Sequence, residues 1–210
     1  MKEEMAEKVT FWFDALCPFA WQTSRFVKEV EKVRDVEVDW VPMSLAILNE
    51  NNDDAPEDYK KSVARAWGPA RVFAAVKTEK PEKVDELYTE VGTALHKNDE
   101  NNTDQSERFT DLLRRSLKAV GLDEAYADVA ETTEWDDKLR EYHNGAIDLV
   151  GDDVGTPTIA LNGVGFFGPV ITRVPTGEEA GEIFDAAVRL ANYPYFFELK
   201  RTRTESPQVS

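Results

Sequence analysis

The sequence predicts an α/β protein in which a βαβ unit and a ββα unit, two parts of one sheet, are separated by an inserted block of helices. Three observations predict it. An apolar, aromatic run over residues 9–13 passes through Asp14-Ala15-Leu16 into a helix that opens at Cys17-Pro18. From Pro56 to about Val150 the apolar positions recur at helical spacing, and from Gly151 the pattern resets to short apolar runs around Asn162-Gly163.

Val9-Thr10-Phe11-Trp12-Phe13 is rich in β-branched and aromatic residues, which fit a pleated, buried strand. Pro18 suits the first turn of the helix that follows, where its missing N–H would have no acceptor anyway. Trp21, Phe26, Val27, Val30 and Val33 then fall at helical spacing, with Arg25, Lys28, Glu29 and Glu31 between them, as an amphipathic helix on a sheet requires. Arg34-Asp35 ends it, and residues 36–41 alternate as a half-buried strand up to Pro42. Two strands joined through one helix should be parallel, with a right-handed crossover.

The helical block has apolar stripes at Tyr59, Val63, Ala66 and Trp67; at Val84, Leu87, Tyr88, Val91 and Leu95; at Phe109, Leu112, Leu113, Leu117 and Val120; and at Trp135, Leu139, Tyr142 and Ala146. Breaks are expected at Gly68-Pro69, Lys80-Pro81, the polar run from Asn98 to Thr103, and Gly121. Asn162-Gly163 between two apolar runs marks a tight hairpin. Thr176-Gly177-Glu178-Glu179 resembles a capping box opening a last helix, whose buried face should carry Ile183, Phe184, Ala187, Val188 and Leu190. The tail from Glu198 is polar and is expected to dock only in part. Residues 1–55 and 151–210 therefore form one discontinuous domain, and residues 56–150 the insertion.

With 41% hydrophobic residues in 210, the chain can bury a core of ordinary size. Its net charge of −16 argues against nucleic-acid partners and anionic membranes, because such a surface repels phosphate. No stretch reads as a signal peptide or a membrane span, and a single cysteine cannot form an internal disulfide, so a cytoplasmic protein is expected. Glu50, Asp53, Asp54, Glu57 and Asp58 lack the spacing of a calcium loop and read as solvated surface, and no paired histidines supply a zinc site, so no metal is expected. No glycine-rich nucleotide loop appears, so no nucleotide cofactor is expected either. Asn101-Asn102-Thr103 fits the glycosylation acceptor pattern by chance alone. The oligomeric state, monomer or dimer, is not legible.

The chemistry centres on Cys17. A thiol at a helix N-terminus meets unsatisfied N–H groups and the positive end of the helix dipole, both of which favour thiolate. Cys17 is therefore expected to have a lowered pKa and to alkylate faster than a free thiol at mildly acidic pH. The second signal is Val154-Gly155-Thr156-Pro157-Thr158, a proline just ahead of a strand. His96 and His143 lie in helical stretches and read as structural rather than catalytic.

Several segments resemble one family: Phe11-Trp12-Phe13-Asp14 with Cys17-Pro18, residues 43–51, Ala64-Arg65-Ala66-Trp67-Gly68-Pro69, the Thr156-Pro157 loop, Phe166-Phe167-Gly168-Pro169-Val170, and residues 196–204. The resemblance spans nearly the whole chain and is to the actinobacterial mycothiol-dependent nitroreductases, within the DsbA-like oxidoreductases. It implies a thioredoxin fold with an inserted α-helical subdomain. It also implies a thiol-disulfide oxidoreductase that takes electrons from mycothiol and reduces disulfides or nitroaromatic compounds. By that resemblance Cys17 is the nucleophile, Pro18 and Phe19 complete the active-site motif, and Thr156-Pro157 is the cis-proline loop beside the sulfur, with backbone free to pair with an extended substrate. By the same resemblance Asn49 and Tyr59 would line the substrate groove; Trp21 and Trp67 have the apolar spacing of core residues, with a place at the border of the groove as the second reading.

The family motif ends in a second, resolving cysteine, and here Ala20 stands in that place. In thiol-disulfide exchange a second thiol must resolve the mixed disulfide, so here it must come from outside. The chain thus looks like a monothiol enzyme or a variant whose resolving cysteine has become alanine. Two other readings of the same residues remain open: a glutathione-transferase-kappa-like or isomerase-like enzyme of this fold, and a non-catalytic module that binds a peptide or apolar ligand.

Overall fold

The first strand carries large side chains on both faces, so the sheet has to be covered on both sides. The computed structural model describes residues 6–52, 56, 60–61, 64–98 and 106–209, the last span with side chains from Phe109 onward. Strand β1 (Glu7–Phe13) pairs in parallel with β2 (Val36–Pro42), joined to it through helix α1 (Pro18–Val30). On its other side β1 pairs antiparallel with β3 (Thr158–Leu161), which forms a hairpin with β4 (Val164–Phe167), giving the order β2-β1-β3-β4. The hairpin turns at Asn162 and Gly163, both with positive φ (50° and 86°), the conformation that the Asn-Gly pair adopts most readily.

Between β2 and β3 come α2 (Leu45–Leu48), α3 (Trp67–Glu79), α4 (Val84–Gly92), a π-helical turn (Thr93–Lys97), α5 (Ser106–Ala119), a 3₁₀ segment (Glu124–Glu131) and α6 (Asp136–Val150). Helix α7 (Glu178–Ala191) follows the hairpin. Alternation along β1 sends Phe11 and Phe13 into one core and Trp12 into another. Phe13 stacks on Tyr88 at 3.9 Å and meets Phe73 edge-on at 5.0 Å, which ties the sheet to α3 and α4. On the opposite face Trp12 packs with Val41, Met43 and Ala160 under Ala146 of α6, and its indole N–H donates to Tyr142 O at 3.1 Å.

The structure departs from the pattern at three points. Gly68-Pro69 does not break a helix but lies in the first turn of α3, where Pro69 needs no N–H acceptor. The expected capping box is absent: Gly177 (φ 59°) is the N-cap of α7 and no side chain caps it. Of the face expected for α7, Phe184 is buried and Ala187 and Val188 pack partly buried against the core, whereas Ile183 and Leu190 are 41% and 40% exposed; Ala180, Gly181 and Ala191 complete the buried face. Tyr59, Val63, Asp53, Asp54, Glu57, Asp58 and Asn101-Asn102-Thr103 lie outside the described residues.

Helices α1 and α4 approach so closely that Gly92 lies flat against Trp21; a Cβ there would sit 2.3 Å from two indole ring carbons. The ring is also held by His96, Tyr88 and the Arg25 guanidinium, leaving it no room to move aside. Gly92→Ala is therefore expected to lose about 1–3 kcal/mol despite alanine's better helix propensity. At roughly 2–4 °C per kcal/mol for a chain of this size, calorimetry should show a Tm lower by about 2–12 °C.

Candidate active site

The turn between β1 and α1 is built by hydrogen bonds before any chemistry is considered. Asp14 Oδ1 accepts from Leu16 N at 2.9 Å and Oδ2 from Leu45 N at 2.8 Å, while Asp14 O accepts from Cys17 N at 3.0 Å. This carboxylate joins the end of β1, the start of α1 and the start of α2. Ser44 caps α2, its Oγ accepting from Ala46 N and Ile47 N.

Cys17 is itself the N-cap residue of α1. Its Sγ accepts from Ala20 N at 3.4 Å and donates to Thr156 O at 3.3 Å. Pro18 occupies the first helical position, as its lack of an N–H favours. The Thr156-Pro157 peptide bond is cis, and Thr156 Oγ1 stands 3.4 Å from both Asp14 N and Trp12 O, anchoring the loop to the end of β1. Gly155 lets the loop pass under α2: a Cβ there would meet Leu45 at 3.1 Å and Leu48 at 3.3 Å.

Electrostatics run against the expectation of a lowered thiol pKa. Cys17 is only 7% exposed, and burial pushes its thiol up to about 11; the Asp14 charge works in the same direction, and the backbone N–H groups of Ala20 and Phe19 only partly oppose it. The helix N-terminus is present, but loss of water outweighs it. Asp14, 2% exposed, is raised to about 6 by burial against the pull of its two backbone donors. The resting site thus holds a protonated thiol whose S–H donates to Thr156 O.

The expected groove residues scatter. Trp21 is 3% exposed and belongs to the α1–α4 interface, so it cannot line a groove. Asn49 uses its amide to donate to Leu45 O at 2.8 Å, closing the end of α2. Trp67 packs in the helical block with Ile47, Ala70 and Leu139, its ring flanked by the Arg71 and Arg140 guanidinium groups at 5.1 and 5.5 Å. Tyr59 lies outside the described residues. Ala20 is fully enclosed, whereas Pro18 is exposed and Phe19 half-buried, so the open side of the motif is its Pro-Phe edge.

Sequence reasoning passed over three residues that pack around the turn carrying the thiol. Asp14 was legible as a charge ending an apolar strand. His96, stacked on Trp21 with Nε2 2.9 Å from Ala15 O, gave no signal, because the π-helical turn that aims it is not readable from spacing. Arg203, whose guanidinium lies 4.7 Å over the Phe19 ring, belongs to a tail expected to dock only in part. Among the described residues no group of three or more His, Cys, Asp or Glu could hold a metal ion, and no helix is long and apolar enough to cross a membrane.

A thiol capping the first helix and facing an X-Pro loop, in a sheet interrupted by helices, defines a thiol-disulfide oxidoreductase of the DsbA type. The chain belongs to the Rv2466c-like family, described as mycothiol-dependent nitroreductase Rv2466c, which it matches over residues 16–201. It is similar to the uncharacterized protein Rv2286c of Mycobacterium tuberculosis, 29% identical over 198 residues that cover 93% of this chain and 82% of that protein. In fold it is similar to the oxidoreductase DsbA of Xylella fastidiosa (TM-score 0.53, 18% identity, 88% and 85% of the two chains). The cytosolic disulfide reductase DsbM of Pseudomonas aeruginosa, solved with GSH, has the same fold (TM-score 0.55, 11% identity, 87% and 99%).

Two outcomes follow from these charges. In the ligand-free protein, iodoacetamide should modify Cys17 at least tenfold more slowly than an exposed cysteine at pH 7, with a rate still rising at pH 10; Asp14→Asn should speed it by removing the adjacent charge. Stability should also carry two opposed acid responses. Folded Asp14 (about 6, against 3.8) binds its proton first and gains stability as pH falls toward 4, whereas His143, 3% exposed and lowered by burial from 6.5 to about 4, loses it over the same window. Each amounts to about 2–3 kcal/mol, so the two nearly cancel. Denaturant titrations between pH 6.5 and 4 should show His143→Gln becoming more stable toward acid and Asp14→Asn less stable, relative to the unaltered chain.

Proposed function

We propose that the protein is a monothiol disulfide reductase of the cytoplasm in which Cys17 is the nucleophile and mycothiol both the mixed-disulfide partner and the electron donor. The observation that carries this reading is the setting of Sγ: it caps α1, meets the backbone of the Thr156-Pro157 loop, and has an enclosed alanine methyl where a resolving thiol would stand. Family membership supports mycothiol as the external thiol. A lone cysteine fits a reducing compartment.

Exchange then runs in two balanced steps. The Cys17 thiolate attacks the mycothiol sulfur of a substrate disulfide; the new S–S bond forms as the old one breaks, and the departing thiolate takes a proton from solvent. A second mycothiol thiolate attacks the mycothiol sulfur of that adduct, regenerates Cys17 and leaves as mycothiol disulfide. Because the resting thiol is buried and protonated, an approaching substrate has to displace Thr156 O from Sγ and let the proton go before attack. A nitroaromatic compound is a second acceptor for the same electrons. Cys17 and one mycothiol together supply two electrons and two protons, giving a nitroso compound, water and the same mixed disulfide at Cys17.

Intact mass under non-reducing conditions tests this. Treatment with mycothiol disulfide should add one mycothiol to the chain and none to Cys17→Ser, and excess mycothiol should remove it with return of the free thiol. Ala20→Cys should resolve its own adduct into an internal disulfide. Failure of the unaltered chain to form the adduct would overturn the proposal.

A further inference from the structure

The tail after α7 is exposed along most of its length, yet it is pinned at several points. Phe196 meets Phe166 of β4 at 5.9 Å. Glu205 accepts from Thr172 Oγ1 at 2.5 Å and from both the Nε and Nη2 of Arg173, and Gln208 N donates to Thr172 O at 2.7 Å. Gln22 of α1 donates its side-chain N–H to that same Thr172 carbonyl, so the pinned end of the tail is fastened to the helix that starts at the thiol. Between the pins Arg203 lays its guanidinium over the Phe19 ring at 4.7 Å.

Arg203 has no hydrogen-bond acceptor and no carboxylate partner among the described residues, unlike Arg34, Arg71, Arg140 and Arg173, each of which is paired. A fork of five N–H donors is thereby held at the open Pro-Phe edge of the motif, in a chain whose net charge is −16. The sulfur itself is 7% exposed and shut in by Thr156, so the part of a thiol partner that lies beyond its sulfur has to leave across this edge.

We infer that Arg203 is a binding residue for the low-molecular-weight thiol, donating to oxygen acceptors at that molecule's sulfur-free end, and that Glu205 is a positioning residue which holds Arg203 over Phe19 through the tail. The inference rests on the proposed thiol chemistry for the choice of ligand only. Arg203 touches the partner and never the reacting sulfurs, so its effect belongs to affinity. The ligand class is a small thiol bearing hydroxyl, carbonyl or carboxylate oxygens, and a thiol without them should gain nothing from the guanidinium.

Calorimetric binding to the Cys17→Ser chain separates this from the exchange reaction, using S-methylmycothiol as the oxygen-bearing probe and S-methylcysteamine as the probe without oxygens. Arg203→Ala should weaken S-methylmycothiol roughly tenfold and leave S-methylcysteamine within twofold. Arg203→Lys should recover only part of the loss, because a point charge lacks the fork. Glu205→Ala should reproduce the Arg203→Ala loss with Arg203 still present. Equal binding of S-methylmycothiol with and without Arg203, an equal loss for both probes, or no binding of S-methylmycothiol to the arginine-bearing chain would each overturn the inference. The mass-spectrometric adduct on Cys17 is read independently of all three, so the proposed chemistry and the role of Arg203 can fail separately.

Discussion

The carboxylate of Asp14 is the junction on which the site depends. A strand that ends inside a protein has to hand its chain to a helix without leaving backbone donors unpaired, and here one buried side chain accepts from two of them, Leu16 N and Leu45 N. Those donors belong to the turn that carries the thiol and to α2, the short helix that follows β2. One group therefore sets where Cys17 sits relative to β1 and where α2 sits over the Gly155-Thr156 loop. The cost is a charge held away from water beside a sulfur, and it appears as the raised pKa of both groups.

This makes the resting site geometrically ready and electrostatically quiet. The helix N-terminus points its donors at Sγ, as a thiolate needs, but the same packing that aligns them removes the water that would stabilise the ion. Thr156 O keeps the proton in place in the meantime. In the mechanism proposed above, a substrate that pairs with the loop backbone would compete for that carbonyl, coupling its approach to release of the proton. The docked tail adds a cation at the open Pro-Phe edge of the motif in a strongly acidic molecule.

The insertion contributes by packing as well as by position. Phe13, at the end of β1, stacks on Tyr88 of α4 and meets Phe73 of α3, so the last residue of the strand before the active turn is clamped by the helical block. Trp21, one turn into α1, is clamped by Gly92 and His96 of the same block. Both sides of the thiol turn are thus seated on the insertion, which is why its aromatic residues read as core by spacing and serve the site by location.

What the sequence determined by itself was local: the aromatic β1, the Cys-Pro start of α1, the Asn-Gly hairpin and the proline ahead of β3 each follow from chain chemistry within a few residues. With the helical periodicity between them, they sufficed to read the fold class; the likeness to a thiol-disulfide family came from resembling segments spread along the chain. Tertiary structure decided whatever depends on burial and on contacts across long separations. Trp21 had the spacing of either a core or a groove residue, and only the approach of Gly92 assigned it to the core. The thiol pKa turns on a balance between N–H groups visible in the sequence and a loss of water that is not. Arg203 stands 184 positions after Phe19 in the numbering, and no local pattern announces a contact made by a tail folding back through Glu205 and Thr172. Periodicity reports which side of an element is apolar; it does not report what the other elements bring to it.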